Sequence, residues 1–216
     1  MKKILLSITM LLPFVCVLAQ NPSKEKDSKK KKIDKIFELM GFVNISSLPG
    51  ESDAYSGTLL GGQIGGQVKL GQFSERLAVW GGAAFSMQGG KYKSSYTGGG
   101  DYGDGSLRLN YLNFPITARY QTKSGFFAEG GIQPGLLLSA KNNFNYSGSS
   151  GSNDVKDQIN SFDIGIPIGL GYKFTENIGV SARFTPGITN INKSESTYEA
   201  PKNRNMVIAL GATYAF

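Results

Sequence analysis

From residue 36 to the carboxyl terminus, large apolar side chains alternate with small or polar ones, and turn residues interrupt the alternation at regular intervals. In one such run, Phe162 and Ile164 share one face, whereas Asp163 and Gly165 share the other. This period of two predicts β-strands, because successive side chains of a strand point to opposite sides of the sheet. No stretch in this region approaches the ~20 unbroken apolar residues of a membrane-spanning helix. The sequence therefore predicts an all-β fold.

Eight alternating runs are predicted along the chain. They cover residues 36–47, 57–72, 77–93, 107–122, 126–141, 159–174, 178–193 and 205–216. The connections after the second, fourth and sixth runs are short, and the others are long. Hairpins with short turns at one end and long loops at the other are typical of outer-membrane barrels. The start of the first strand is the least defined boundary, because Ile33, Ile36, Phe37 and Met40 also fit a helical spacing.

The distribution of charge indicates which face of the strands is the interior. In the stretches 112–121, 161–174 and 206–216, charged residues such as Arg119 and Lys173 occur only on the small and polar face. A soluble sandwich or barrel would place the bulky residues inside and the charges outside. Because eight strands leave a lumen only wide enough for side chains, the large apolar face must meet lipid. The predicted fold is an all-β, eight-stranded antiparallel up-and-down transmembrane β-barrel over residues 36–216.

Six charged residues are predicted to face the lumen as a structural charge network. They are Lys69, Arg119, Glu129, Asp163, Lys173 and Arg183. If residues 123–125 form a three-residue turn, Arg119 lies directly opposite Glu129 on the neighbouring strand. Such charges either pair as a polar core or line a selective pore, and the narrow lumen favours pairing. Trp80 is predicted to pack in the lumen near Lys69.

Sites of known chemistry are hard to find in this chain. It contains no histidine, which excludes histidine-based catalytic triads and histidine metal sites. The run Gly98-x-Gly100-x-x-Gly103 matches a dinucleotide fingerprint only in its letters, because no helix is predicted after it. Six acidic loop residues either offer oxygen ligands to a divalent cation or are simply solvated: Glu51, Asp53, Asp101, Asp104, Asp154 and Asp157. We therefore predict no catalytic, cofactor-binding or metal site.

The first residues of the chain have the organisation of an export signal. A positive start, an apolar stretch over residues 4–18 and the small Ala19 predict a signal peptide at residues 1–19. The alternative, a lipoprotein that begins at Cys16, is weakened by the bulky Val15 before it. We expect cleavage after Ala19.

Residues 20–35 form a predicted lysine-rich periplasmic tail. Residues 21–35 hold seven lysines against three carboxylates, which is most of the formal net charge of +7. The tail is predicted to be solvated, and the alternative is a periplasmic partner or anionic lipid that contacts Lys24–Lys35. Because the rest of the mature chain is nearly neutral, no nucleic-acid partner is predicted.

Aromatic residues on the apolar face concentrate at the short-turn ends of the strands. They are Tyr120, Phe126, Tyr172, Phe174, Tyr214 and Phe216. Aromatic girdles mark the borders of the bilayer, so outer-membrane lipid is the predicted partner of this face. A last strand that ends in Phe216 also fits the carboxyl-terminal signal recognised by the barrel-assembly machinery, which is a second predicted partner.

Four prolines fall inside predicted strands. They are Pro115, Pro134, Pro167 and Pro186. Each removes a hydrogen bond from the ladder of a barrel that has no free edge, so bulges or lumenal water are expected beside them.

Two segments resemble a known family. Tyr111-Leu112-Asn113-Phe114-Pro115, followed by Arg119-Tyr120, and Gly41-Phe42-Val43-Asn44-Ile45-Ser46 are similar to strands of the PorT-like outer-membrane β-barrel family of the Bacteroidota. The resemblance covers roughly residues 36–216, and its motifs are structural. It implies either an integral barrel with a structural or surface-interaction role or a component of an envelope protein-secretion system. A narrow porin and a lipid-modifying barrel enzyme are further alternatives.

Overall fold

The computed structural model describes residues 36–51, 55–95, 102–146, 149–194 and 200–216. The predicted signal peptide at residues 1–19 and the predicted tail at residues 20–35 lie outside these ranges, and both stay predictions. Within the described ranges, no helix is long and apolar enough to cross a membrane.

The described residues form eleven antiparallel strands and one 3₁₀ turn at Lys156–Gln158. The strands are β1 (Phe37–Ser47), β2 (Gly57–Gln72), β3 (Leu77–Ser95), β4 (Tyr102–Asn113), β5 (Ile116–Gln121), β6 (Phe126–Tyr146), β7 (Ser149–Asp154), β8 (Phe162–Gly165), β9 (Ile168–Lys173), β10 (Ile178–Pro186) and β11 (Met206–Ala215).

The sheet closes on itself. Each strand pairs with its neighbours along the chain, and the first strand pairs with the last from Glu38 opposite Ala215 to Ser47 opposite Met206. Strands β4 and β5 together make one wall strand, and β7, β8 and β9, which all pair with β6, make another, so the ring has eight members. The predicted fold, an eight-stranded antiparallel barrel, is confirmed.

Two of the four prolines divide wall strands. Pro115 separates β4 from β5, and Pro167 separates β8 from β9. Their carbonyl groups still accept hydrogen bonds from the neighbouring strands, with N···O distances of 3.0 Å from Gly82 and 3.1 Å from Gly131. The ring therefore stays closed where the ladder is interrupted. A bulge of the predicted kind lies nearby in β6, where one extra residue, Leu138, shifts the register against β4.

The short turns are as predicted, including the one at residues 123–125. Gly125 has a φ of 98°, which is the left-handed conformation that a three-residue hairpin loop places on glycine. All three short turns lie at one end of the barrel, here called the turn end. Residues 36 and 216 lie at this end too, because the first and last strands begin and finish there.

The other end, here called the loop end, differs from the prediction. Strand β4 begins at Tyr102 instead of residue 107, and β6 continues to Tyr146 and pairs with β7. The ring of Tyr92 packs over the backbone of Gly105, which supports the longer β3–β4 ladder. The predicted strand 178–193 is too long, since β10 ends at Pro186.

Candidate functional site

The lumen of the barrel is lined by the small and polar face of the strands. Along β1, Glu38 and Asn44 are fully buried, whereas Val43 is exposed. On the outside, Leu60 and Leu170 expose 71% and 67% of their surfaces. On these strands, the face predicted to line the lumen is buried, and the face predicted to meet lipid is exposed.

A continuous chain of ion pairs crosses the lumen near the turn end. It runs Lys173–Glu38–Arg119–Glu129–Arg183, and we call it the ionic chain. The N···O distances along it are 2.6 Å, 2.8 Å, 2.8 Å and 2.6 Å. Both carboxylates are fully buried, so their charges are compensated by these cations and not by water. Gln67 completes the shell of Glu38 with a hydrogen bond of 2.7 Å from Nε2 to Oε2.

Aromatic rings pack against the cations of this chain. The Cζ atom of Arg119 lies 4.8 Å from the Trp80 ring centre and 4.6 Å from the Phe127 ring centre. Arg183 lies 5.3 Å above the ring of Phe42. Cation–π contacts of this kind hold a guanidinium in place where water is excluded.

A polar layer lies above the ionic chain, towards the loop end. It encloses a cavity of about 10 Å³ between Gln88, Asn113, Gln133, Asp163 and Asn205. Within the described chain, the lumen has six buried polar atoms without a protein partner. They belong to Asn44, Gln63, Tyr111, Asn113, Arg183 and Asn205. Of these residues, Asn113 and Asn205 line the cavity, with a donor (Nδ2) and an acceptor (Oδ1) respectively. Because the cavity is the size of one water molecule, a bound water suits this pair.

Above the polar layer, the lumen is filled by an apolar cluster, which we call the plug. Its members are Leu48, Leu107, Leu109, Tyr111, Leu137, Ala140, Ile159 and Ile191. Leu109 and Ala140 are fully buried, and Tyr55 packs against the cluster from the loop that follows β1. Burial raises the pKa of the Tyr55 hydroxyl above its usual range, and the nearby Tyr92 adds to the effect.

Asparagine side chains fasten the loop segments over the plug. Asn160 donates to the backbone oxygens of Asn190 and Asn192 at 2.9 Å and 3.0 Å. Asn203, which is fully buried, donates to the Leu48 oxygen at 3.1 Å. The loops are thus tied to one another by amide hydrogen bonds, and they hold the apolar residues in the barrel mouth.

The structure brings together four of the six predicted charges. Arg119 lies opposite Glu129, as the turn geometry predicts, and Lys173 and Arg183 complete the same chain. Lys69 stands apart at the turn end, with its Nζ 5.7 Å from the Trp80 ring centre.

Asp163 is also separate from the ionic chain. Its Oδ2 accepts a hydrogen bond of 2.7 Å from Asn205 Nδ2, and its Oδ1 accepts hydrogen bonds from the Ile164 amide and the Thr189 hydroxyl. Glu38, one of the two carboxylates of the ionic chain, is absent from the predicted network. Its position on the same face as Asn44 and Ser46 was the available signal, but the uncertain start of the first strand obscured it.

Among the described residues, no group of three or more His, Cys, Asp or Glu side chains is placed to hold a metal ion. The loop residues Asp53 and Asp101, which were considered as cation ligands, lie outside the described ranges. What the lumen does offer is an ion-paired core and an apolar closure.

A closed antiparallel ring with a polar interior and an apolar exterior defines an integral outer-membrane barrel. Residues 39–193, well over half of the chain, match the family described as "Outer membrane protein beta-barrel domain". The chain belongs to this family, and its location is the outer membrane. No curated protein matches the sequence.

Several solved barrels are similar in structure. Neisserial surface protein A is 14% identical with a TM-score of 0.49, and the alignment covers 83% of this chain and 97% of that one. Ail, the attachment invasion locus protein of Yersinia pestis, solved with the heparin analogue sucrose octasulfate, is 15% identical with a TM-score of 0.47 and the same coverage. The amino-terminal barrel domain of Pseudomonas aeruginosa OprF is 17% identical with a TM-score of 0.36, covering 84% of this chain and 98% of that one.

Proposed function

We propose that this protein is a sealed outer-membrane barrel that acts through its loop-end surface, in a structural or surface-interaction role and without catalysis. The observation that carries the proposal is the double closure of the lumen, by the ionic chain near one end and by the plug near the other. A lumen filled in this way leaves no path for solutes. The surface that remains for function is the mouth of the barrel above the plug.

The proposed orientation places the loop end outside the cell and the turn end in the periplasm. It is supported by the position of the short turns and by both ends of the barrel domain lying at the turn end. Outer-membrane barrels have short periplasmic turns and longer external loops. With this orientation, the Lys24–Lys35 tail would meet a periplasmic partner, and the strand that ends at Phe216 would meet the assembly machinery from the periplasm.

Labelling of single cysteines tests this orientation. The only native cysteine, Cys16, lies in the predicted signal peptide, so an introduced thiol would be unique in the mature chain. Ser150→Cys at the loop end and Ser124→Cys at the turn end are matched, exposed positions. We expect a membrane-impermeant maleimide to label Ser150→Cys on intact cells, and to label Ser124→Cys only after the outer membrane is permeabilised. The reverse pattern would overturn the proposal.

A second candidate function is a PorT-like component of an envelope protein-secretion system. It is supported by the place of the resembling segments, which supply structural positions of the lumen: Tyr111 in the plug, Asn113 in the polar layer and Arg119 in the ionic chain. Secretion by a deletion strain distinguishes the two candidates. A selective loss of secreted proteins would favour the second, and an unchanged secretome with an altered cell surface would favour the first.

A further inference from the structure

The outer wall formed by β3, β4 and β6 changes its chemistry in three tiers towards the loop end. The lowest tier is apolar and includes Phe85 and Leu136, both exposed. The middle tier is cationic, because Arg108 and Lys141 are exposed and lie directly opposite each other on β4 and β6. The upper tier is a polar cleft of about 660 Å³.

The cationic pair is unfavourable for the barrel itself. Like charges directly opposite each other on neighbouring strands repel. None of the ion pairs found among the described residues includes Arg108 or Lys141. Asp154 faces Lys141 from β7, and its Oδ1 accepts a hydrogen bond of 2.9 Å from the Lys156 amide. The two cations are therefore available to an anion from outside the chain.

The cleft above them is lined by groups that recognise hydroxyls. Its side chains include Ser56, Ser106, Asn143, Asp104 and a further cation, Lys91. Hydroxyl and amide groups both donate hydrogen bonds to sugar hydroxyls and accept them, and a carboxylate accepts them. Lys91 lies opposite Ser106, one outward-facing row above Arg108, so the cationic tier is continuous with the cleft.

The height of the cationic tier matches the border of the bilayer. From Phe126 in the aromatic girdle to Leu138, the last exposed apolar residue of β6, there are 12 residue steps (138 − 126). At ~3.3 Å per residue and a tilt of ~40°, these steps span ~30 Å, close to the ~25 Å of the apolar band of such barrels. Arg108 and Lys141 thus lie at the level of lipid headgroups.

We propose that this wall binds a phosphorylated glycolipid of the outer leaflet. Its acyl chains would lie along the apolar tier, its phosphate on Arg108 and Lys141, and its sugar in the cleft. From bottom to top the wall is apolar, cationic and polar, and such a lipid presents acyl chains, a phosphate and a sugar in the same order. The phosphate accepts charge-assisted hydrogen bonds from both cations. The inference rests on the proposed orientation, because only the outer leaflet meets the loop end.

Lipid retention measured by native mass spectrometry tests the site. The purified full chain is equilibrated in phosphatidylcholine nanodiscs with a minor fraction of monophosphoryl lipid A, of phosphatidylglycerol, or of monogalactosyldiacylglycerol. These probes carry phosphate with sugar, phosphate without sugar, and sugar without phosphate. We expect the native protein to retain monophosphoryl lipid A best, and Arg108→Glu/Lys141→Glu to retain it at least about tenfold less. The milder Arg108→Gln/Lys141→Gln should fall between them.

The control is Lys123→Glu/Arg204→Glu, which makes the same change of charge at exposed positions outside the site and should retain lipid as the native protein does. Equal retention by the site variant, or an equal loss in the control, would overturn the proposal. Equal retention of phosphatidylglycerol or of the galactolipid would overturn the assignment of the three tiers. A thermal shift with inorganic phosphate as large as that with the lipid would show a soluble-anion site instead. Because the assay does not depend on orientation in cells, its failure is distinct from a failure of the labelling experiment.

Discussion

At the scale of single residues, Arg119 shows how a charge is kept inside a narrow barrel. Its Nε and Nη2 donate to Glu129 at 3.0 Å and 2.8 Å, and its Nη1 donates to Glu38 at 2.8 Å. Two aromatic rings pack against the guanidinium. All three of its nitrogen atoms are thereby used, so a change of any one partner leaves a charge without compensation.

We expect Arg119→Ala and Glu129→Ala each to lower the free energy of unfolding in detergent by ~3–5 kcal/mol. The double variant should lose less than the sum, because the two side chains share one interaction. Lys69→Ala is the matched control: its Nζ reaches only Gln72 Oε1, at 3.5 Å, besides the Trp80 ring, and it should lose less than ~1 kcal/mol. Urea titrations followed by tryptophan fluorescence measure these values. Strictly additive losses would contradict the coupling.

Two glycines on opposite faces of the sheet give a second prediction about stability. A methyl group at Gly171 would overlap the Phe127 ring and lie 2.6 Å from the Val180 carbonyl oxygen, whereas one at Gly41 would meet nothing within 4 Å. Gly171→Ala should therefore cost ~1–3 kcal/mol, the range for overpacking. Gly41→Ala should be neutral or slightly stabilising. The fraction that migrates as folded barrel on unheated gels, measured against urea, compares them, and a larger loss at Gly41 would show that the faces are misassigned.

At the scale of elements, the hairpins extend beyond the apolar band because aromatic rings cover glycines there. Tyr92 lies over Gly105 and Phe144 over Gly151, which restores the side-chain contact that a glycine in a strand lacks. The Tyr92 hydroxyl also donates to Asn142 Oδ1 at 2.7 Å. The aromatic ring of Tyr92 contributes more to the stability of the ladder than its hydroxyl does, because the ring covers the ladder and the hydroxyl makes a single hydrogen bond.

Tyr92→Ala should loosen the upper part of the β3–β4 ladder while the wall below stays intact. We expect amide exchange at residues 105–107 to rise roughly tenfold, the equivalent of losing one aromatic contact. Tyr92→Phe keeps the ring and should change exchange much less. Hydrogen exchange followed by mass spectrometry compares the two, and an equal rise in both would assign the effect to the hydroxyl instead.

Some of the contacts within and between these elements could be predicted from the sequence, and others could not. The alternation of side chains and the lengths of the turns are enough to predict the strands and the pairing of Arg119 with Glu129, because these features depend only on residues within one hairpin. They do not predict the contact of Glu38 with Arg119, because these two residues are 81 positions apart in the sequence. The plug was missed because the apolar face switches within one strand: Leu107 and Leu109 point inward, whereas Ile116 points outward. That switch is visible in the sequence, but only the closed ring shows that it fills the lumen.

At the scale of the whole molecule, the two closures of the lumen lie in series. The ionic chain blocks the lumen near the turn end, and the plug blocks it near the loop end. A variant that loses one of these closures still has the other. The ring itself is held by backbone pairing on every side and does not depend on the plug.

We therefore expect no steady single-channel steps from the native protein in planar bilayers. Leu109→Ala/Leu137→Ala, which opens the plug, should remain closed, because the ionic chain is intact. Only the combination with Arg119→Ala should conduct, and migration of the folded form on unheated gels must first show that this variant still forms a barrel. Reproducible nanosiemens-scale steps from the native protein would contradict the sealed lumen.

Glu38 has a consequence for the order in which the chain is assembled. It belongs to the first strand, and its partners Gln67, Arg119 and Lys173 follow it along the chain. In the chain, this carboxylate precedes every group that will neutralise it. It becomes fully buried only when the last strand has joined the first and the wall around it is complete. An unfinished barrel would thus keep an uncompensated negative charge beside its open seam, which makes the finished molecule chemically distinct from every intermediate that precedes it.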